Sequence, residues 1–302
     1  MLGAGAIGSL YGAKLAAAND VTLVGRAQHV AAIQDTGLRI EGLESKLVSL
    51  RAVTAVKKIG LNALVLVTTK VPDTAAALAP IAPLLRDDTT IVSLQNGFGS
   101  EEIARRAAGN RGVVLRAITQ FGAIFEAPGV IQFMARGYTL LERHERSDRI
   151  AAVLNAAGLD CRISPDITRD LWRKLVINCV VNPITAILGC DVGGIANPQL
   201  DPLKELVIAE CLDVAATQGV RLDENFQAEI SDFFRPSHNL ASMLQDLRRG
   251  RATEIDYLNG AVVSLGVEHG IACPVNEALT AIIKAMEASS LLPKKMLEPE
   301  PA

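Results

Sequence analysis

Several function classes are excluded by what the sequence has little of. Cysteine is sparse and unpatterned. Cys161, Cys179, Cys190, Cys211 and Cys273 are scattered among apolar neighbours without C-x-x-C spacing, which is the setting of buried free thiols, not of a disulfide framework. A reducing compartment is expected. The four histidines, His29, His144, His238 and His269, form neither H-x-H nor H-E-x-x-H, so surface or structural roles outrank ligation and no metal is expected. Charge of one sign is also lacking: 30 Lys plus Arg stand against 33 Asp plus Glu, with no basic block. Nucleic acid is therefore not an expected partner. No basic region precedes an apolar stretch at the start, and no segment reaches about 18 uninterrupted apolar residues. We expect no membrane association and a cytoplasmic protein.

One structural element is nearly missing. Gly3, Gly5 and Gly8 fit G-x-G-x-x-G, in which the first glycine makes a tight turn, the second admits a pyrophosphate and the third lets helix pack on strand. The pattern runs into an apolar helical stripe (Ile7, Leu10, Tyr11, Leu15) and then into the strand-like Val21-Thr22-Leu23-Val24. Yet only Met1 and Leu2 precede it, where a doubly wound sheet has a central strand covered on both faces. Losing three buried aliphatic side chains, at roughly 1.5 to 3 kcal/mol each, would match the net stability of a domain. The natural chain is expected to begin several residues upstream.

What is present is a large stock of core-forming residues, 49% of 302, enough for two domains. From residue 1 to about 165, strand-like and helix-like segments alternate: "VTLVGR", "ALVLVTTK", "TAAALAPIAPLL", "TTIVSLQNG", "EEIARRAAG", "GVVLRA". This rhythm predicts an α/β fold with a Rossmann-type, doubly wound parallel sheet. "GLRIEGLESKLVSLRAV" reads as short strands turning near Gly42 to Ser45, and "GVIQFMARGYTLLER" as another strand pair. Residues 166–292 show helical patterns and no convincing strand, predicting a second, all-helical domain, and 293–302 read as a polar, proline-rich flexible tail. A homodimer is compatible with an apolar helix face, which does not say against which chain it is buried.

The most informative segment is "DLWRKLVINCVVNPITAILGC", an apolar helix interrupted by Lys174, Asn178 and Asn182 at intervals of four. Four-residue spacing puts them on one stripe, and a stripe buried among apolar neighbours needs polar partners, which a ligand in a cleft would supply. A solvent-facing edge is the alternative. Pro183 removes a helix hydrogen bond and crowds the Cys179 carbonyl, so a kink is expected there. In "HNLASMLQDLRRGRATEIDYLNG", Thr253 and Asp256 resemble a helix N-cap signature, which puts Glu254 in the first turn; ordinary charge complementarity explains Glu254 equally well. Asn239 and Ser242 taken alone are cap or surface residues.

"TTK" and "LQNG" place Lys70 and Asn96 beyond the carboxyl ends of strands, where open α/β sheets bind ligands, although Asn-Gly also makes simple turns. After "VTLV", where an NAD site offers an acidic residue, this chain has Gly25 and Arg26. An arginine there neutralises a 2′-phosphate, favouring NADP(H) over NAD(H), unless it is merely structural.

With these residues assembled, the chain resembles the ketopantoate reductase (2-dehydropantoate 2-reductase) family along nearly its whole length. The resemblance rests on Gly3-x-Gly5-x-x-Gly8, Arg26, Lys70, "LQNG" at 94–97, Lys174, Asn178, Asn182-Pro183, Asn239 to Ser242 and Glu254. It implies an oxidoreductase that uses NADPH to reduce 2-dehydropantoate to D-pantoate for pantothenate synthesis. Lys174 is then the general acid, with Glu254 its polar partner; Asn178, Asn182, Asn239 and Ser242 bind substrate. Gly3, Gly5, Ala6, Ile7, Gly8, Arg26, Lys70 and Asn96 hold the cofactor. One departure is Val192, where the family often has a further substrate-binding asparagine. It leaves open a reductase of a different branched 2-oxo acid. A non-catalytic NADPH-binding sensor is the alternative from another class.

Overall fold

The computed structural model describes residues 1–109 and 111–291, so the expected tail at 293–302 lies outside the described residues. The chain divides into two compact units, Met1–Ile167 and the residues from Thr168 onward. The first unit is α/β. Its elements run α1 (Ala6–Leu15), β1 (Thr22–Val24), α2 (Ala27–Thr36), β2 (Leu38–Gly42), β3 (Lys46–Val48), β4 (Arg51–Val53), β5 (Leu64–Val67) and α3 (Thr74–Leu78). They continue with β6 (Thr90–Ser93), α4 (Ser100–Ala108), β7 (Val113–Thr119), β8 (Gly122–Ala127), β9 (Val130–Ala135), β10 (Thr139–Leu141), α5 (Ser147–Ala156) and β11 (Cys161–Ile163).

The first strand is reduced to a single residue. Leu2 bridges β1 at Val24 and β5 at Val67, both in parallel. Its N–H donates to the Leu66 carbonyl at 2.8 Å, and its own carbonyl accepts from the Thr68 N–H at 2.9 Å. It thereby joins two separately paired groups, β4-β1 and β5-β6-β7-β10-β11, into one order: β4, β1, Leu2, β5, β6, β7, β10, β11. From β4 to β7 every neighbour is parallel; β10 runs antiparallel to β7.

Alternation along these strands fills a core on each face, as a doubly wound sheet requires. Leu66 and Val92 pack with Leu10, Tyr11, Leu23 and Leu115 on one side, while Val67 and Ile91 pack with Leu2, Leu78 and Ala104 on the other. Tyr11 is fully buried, and its hydroxyl lies 2.8 Å from Thr119 Oγ1 and 2.7 Å from Thr139 Oγ1. Burial pushes its phenol up to about 12.

Two local expectations need correction. "GVIQFMARGYTLLER" does not form a strand pair: β9 joins a separate sheet of order β3-β2-β9-β8, whereas β10 goes to the main sheet. Adjacent strands in sequence were assigned to different sheets because pairing is settled by which edge is available, not by local pattern. "TAAALAPIAPLL" holds only α3 and a 3₁₀ turn at Ala82–Leu84, since Pro80 and Pro83 lack the N–H groups that would carry the helical ladder onward.

The second unit contains α6 (Ile167–Leu188), α7 (Asp201–Thr217), α8 (Phe226–Phe234), α9 (Ser242–Arg248), α10 (Asn259–His269) and α11 (Pro274–Leu291), and no strand among the described residues. The 22-residue α6 is long and apolar enough to cross a membrane by composition alone, but its Trp172, Leu175, Val176, Cys179, Val180 and Ile184 are buried. The helix continues through Pro183. The Cys179 carbonyl, which loses its partner because Pro183 has no N–H, accepts from Asn259 Nδ2 at 3.0 Å.

Candidate functional site

In the first unit the candidates gather where neighbouring parallel strands end. The glycine turn follows Leu2, Arg26 follows β1, Lys70 follows β5 and Asn96 follows β6. Because these strands are adjacent and parallel, all four sites lie along one carboxyl edge of the sheet. Arg26, exposed, is the N-cap of α2; Lys70 and Asn96 are half-buried.

The three glycines differ in what requires them. Gly3 has φ of +105° and its backbone turns against Thr69, whose N lies 2.6 Å from where a Cβ would stand. A Cβ on Gly8 would collide with the Gly3 carbonyl and with the Thr68 hydroxyl. That hydroxyl donates to the Gly3 carbonyl at 2.7 Å and locks the turn to the end of β5. Gly5 is exposed, has extended backbone, and no atom lies within 4 Å of the position of a Cβ. It caps α1, whose first-turn amides at Ala6, Ile7 and Gly8 have no intrahelical acceptor. Open space above a glycine, beside the positive end of a ten-residue helix with no acidic residue in its first turn, fits a pyrophosphate. The residues present therefore suit a dinucleotide.

Sequence reasoning passed over the side chains that hold these loops. Gln95, buried, donates through Nε2 to the Thr69 carbonyl at 2.9 Å and to Thr74 Oγ1 at 2.5 Å. Arg116 on β7 donates to the carbonyls of Gln95 and Gly97, which flank Asn96, at 2.7 and 2.9 Å. An arginine inside the apolar run "GVVLRAIT" was the available signal, because a buried guanidinium must find partners.

In the second unit, Lys174, Asn178 and Asn182 lie on α6 and are all half-buried, between fully buried flanks such as Leu175, Cys179 and Val181. Asn239 precedes α9, and its carbonyl accepts from the Val192 N–H at 2.9 Å. Ser242 is the exposed first residue of α9. The N-cap expected at Thr253 takes a different form: a 3₁₀ turn, Ile255–Tyr257, follows, with Glu254 at its N-cap instead of inside a first α-turn. The Thr253 hydroxyl accepts from the Ile255 N–H at 3.2 Å, while Asp256 turns away to Lys284, with both Oδ atoms at 2.8 Å. With Glu254 at the N-cap, Asp256 falls at N2 and not at the N3 position from which a capping-box side chain reaches back. Two hollows on the first unit, about 330 and 450 Å³, are lined by other residues, Arg105 and His144 in one and Glu44 and Lys46 in the other.

Residues 1–146 match the family model "Ketopantoate reductase PanE/ApbA", and residues 166–287 match its C-terminal counterpart. The chain belongs to the ketopantoate reductase family. A 2-dehydropantoate 2-reductase of Pyrococcus horikoshii is 36% identical over 95% of this chain and 97% of its own. Among solved structures, a PanE/ApbA family ketopantoate reductase from Ralstonia eutropha superposes with a TM-score of 0.90 at 31% identity, covering 96% of this chain and 98% of that one. A D-mandelate dehydrogenase in a ternary complex with NADH and anilino(oxo)acetate gives 0.89 at 28% identity, with coverage of 96% and 98%.

Proposed function

We propose that the protein reduces 2-dehydropantoate to D-pantoate with NADPH, the step that supplies pantoate for pantothenate synthesis. The observation that carries the reading is the half-buried stripe of Lys174, Asn178 and Asn182 set among the buried apolar residues of α6, joined by family membership. Gly3, Gly5, Ala6, Ile7 and Gly8 would receive the pyrophosphate on main-chain amides, and Arg26, Lys70 and Asn96 would hold the cofactor beside them, Arg26 facing a 2′-phosphate. The dinucleotide, when bound, supplies a hydride to the carbonyl carbon. Lys174 gives its proton to the 2-oxo oxygen, and its positive charge stabilises the developing alkoxide. Asn178 and Asn182 orient the substrate, Asn239 and Ser242 take its carboxylate and hydroxyl, and Glu254 is the polar partner of the lysine and substrate.

A second reading has one observation in its favour. Val192, buried, is tied to Asn239 through a main-chain hydrogen bond of 2.9 Å, so a residue with no side-chain amide adjoins a proposed substrate ligand at the position where the family often has asparagine. The structural neighbour named D-mandelate dehydrogenase has the same fold at 28% identity. A site without that amide favours a 2-oxo acid whose substituent is apolar, since a missing hydrogen bond to a hydroxyl lowers discrimination by a few kcal/mol, on the order of 100-fold. The deciding measurement is NADPH oxidation with 2-dehydropantoate beside other branched and aryl 2-oxo acids. Preference for 2-dehydropantoate upholds the first reading. Preference for an apolar 2-oxo acid upholds the second. Cofactor binding with no turnover on any of them overturns both in favour of the sensor.

A further inference from the structure

Two loops carry Lys70 and Asn96, yet neither is held by regular secondary structure at those residues. A buried polar network does that work. Ser93, Ser100 and Thr74 are completely buried, and Gln95 and Arg116 nearly so. Ser93 Oγ donates to Gln95 Oε1 at 3.0 Å and lies 2.9 Å from Ser100 Oγ. Gln95 Nε2 reaches across to the β5 loop, donating to the Thr69 carbonyl, Thr69 Oγ1 and Thr74 Oγ1 at 2.9, 3.2 and 2.5 Å. The guanidinium of Arg116 closes the network from below. Its Nη2 donates to the carbonyls of Gln95 and Gly97, and its Nη1 faces Ser100 Oγ and, at 3.4 Å, the Glu101 carboxylate at the start of α4.

The geometry points to Arg116 and Gln95 as positioning residues that fix the spacing between the Lys70 loop and the Asn96 loop, and so set the affinity for the nicotinamide dinucleotide. Holding the Gln95 and Gly97 carbonyls fixes the peptide that enters residue 96 and the one that leaves residue 97, so the Asn96 side chain is presented before any ligand arrives. Gly97 and Gly99, with φ of 82° and 79°, let the chain turn back over the guanidinium. Gln95 then ties that prearranged loop to the neighbouring one. Ordering both loops in advance spares the ligand their conformational entropy, the usual route by which preorganisation raises affinity. Arginine is the residue for this because its planar fork addresses two carbonyls and a hydroxyl at once, whereas an ammonium is a point charge on a flexible stem.

This inference rests on the proposed function and is tested with Arg116→Lys and Thr74→Val. The first keeps the charge and loses the fork; the second removes one acceptor of Gln95 with little change in volume. NADPH affinity is measured by fluorescence titration, steady-state constants are measured for the 2-oxo acid, and amide hydrogen exchange is followed on the cofactor-free chain. Arg116→Lys is expected to weaken NADPH about 10-fold and Thr74→Val about 3-fold, with the KM for the 2-oxo acid unchanged. Exchange at 69–74 and 95–99 should quicken while the core of α6 stays protected. Variants that melt lower but bind NADPH as the parent does, with loop exchange unchanged, overturn the inference alone. A parent chain that binds no nicotinamide dinucleotide overturns the functional reading and this inference with it.

Discussion

In the first unit the candidate contacts are largely main-chain groups at strand ends, held by glycines and by side chains far away in sequence. In the helical unit they are mainly side chains, and three of them, Lys174, Asn178 and Asn182, lie on one continuous helix, spaced by its own period. Under the proposed function, the difference follows from what each would recognise. A pyrophosphate is bound by amides that only a glycine lets it approach, whereas a small 2-oxo acid needs a proton donor and directional side chains. One consequence is that a substitution in the first unit acts through backbone geometry and one in the second through chemistry.

The sharpest way to break that comparison is Lys174→Ala. Turnover should fall on the order of 100- to 10,000-fold, the usual contribution of a positioned acid, while NADPH affinity in a fluorescence titration stays close to that of the parent. Unchanged turnover would remove the lysine from the chemistry. Next come two glycines of the same motif. Gly8→Ala forces a Cβ onto the Gly3 carbonyl and should cost about 1 to 3 kcal/mol of stability in urea unfolding. Gly5→Ala meets nothing in the protein; it should leave stability within about 0.5 kcal/mol and weaken NADPH roughly 10-fold by occupying the space of the pyrophosphate.

The third test concerns the helix itself. Asn259→Ala removes the donor that replaces the missing Pro183 amide at the Cys179 carbonyl and should destabilise the protein by about 1 to 3 kcal/mol. Adding Pro183→Ala, which restores an N–H to the ladder, should recover part of that loss. The smallest effect is a pH dependence in the first unit. His29 is buried, Gly129 N–H donates to its Nδ1 at 2.9 Å, and Nε2 faces Ser9 Oγ at 3.1 Å. Burial lowers its pKa from 6.5, and the Gly129 donor leaves no room for a second ring proton. The unfolded chain then takes up a proton that the folded chain refuses, so this contribution is complete above pH 6.5 and is lost as the pH falls below it. Melting temperatures from pH 7.5 down to 5, compared with His29→Gln, should show a shallower decline in the variant.

Much of this was legible in the linear chain, for reasons that are local. The parallel sheet announced itself in "ALVLV" and "TIVSL" because strands covered on both faces are apolar throughout. The Lys174, Asn178, Asn182 stripe was visible because helical period is a property of neighbouring residues. The N-cap expected at Thr253 moved to Glu254; the Thr253 hydroxyl still accepts from the Ile255 N–H, but Asp256 pairs with Lys284 on α11.

By itself the sequence determined the glycine cradle, the alternation of strand and helix, the change to an all-helical unit and the polar stripe on α6, since each is written in spacings of a few residues. Only the tertiary structure decided that Leu2 and its neighbours join β1 to β5, that β9 and β10 part for different sheets, that Asn259 caps a carbonyl 80 positions away, and that Arg116 and Gln95 hold the loops beside the cradle. Those contacts join residues whose separation along the chain carries no signal, and they form because a buried polar group must be paired by whatever the fold brings within reach.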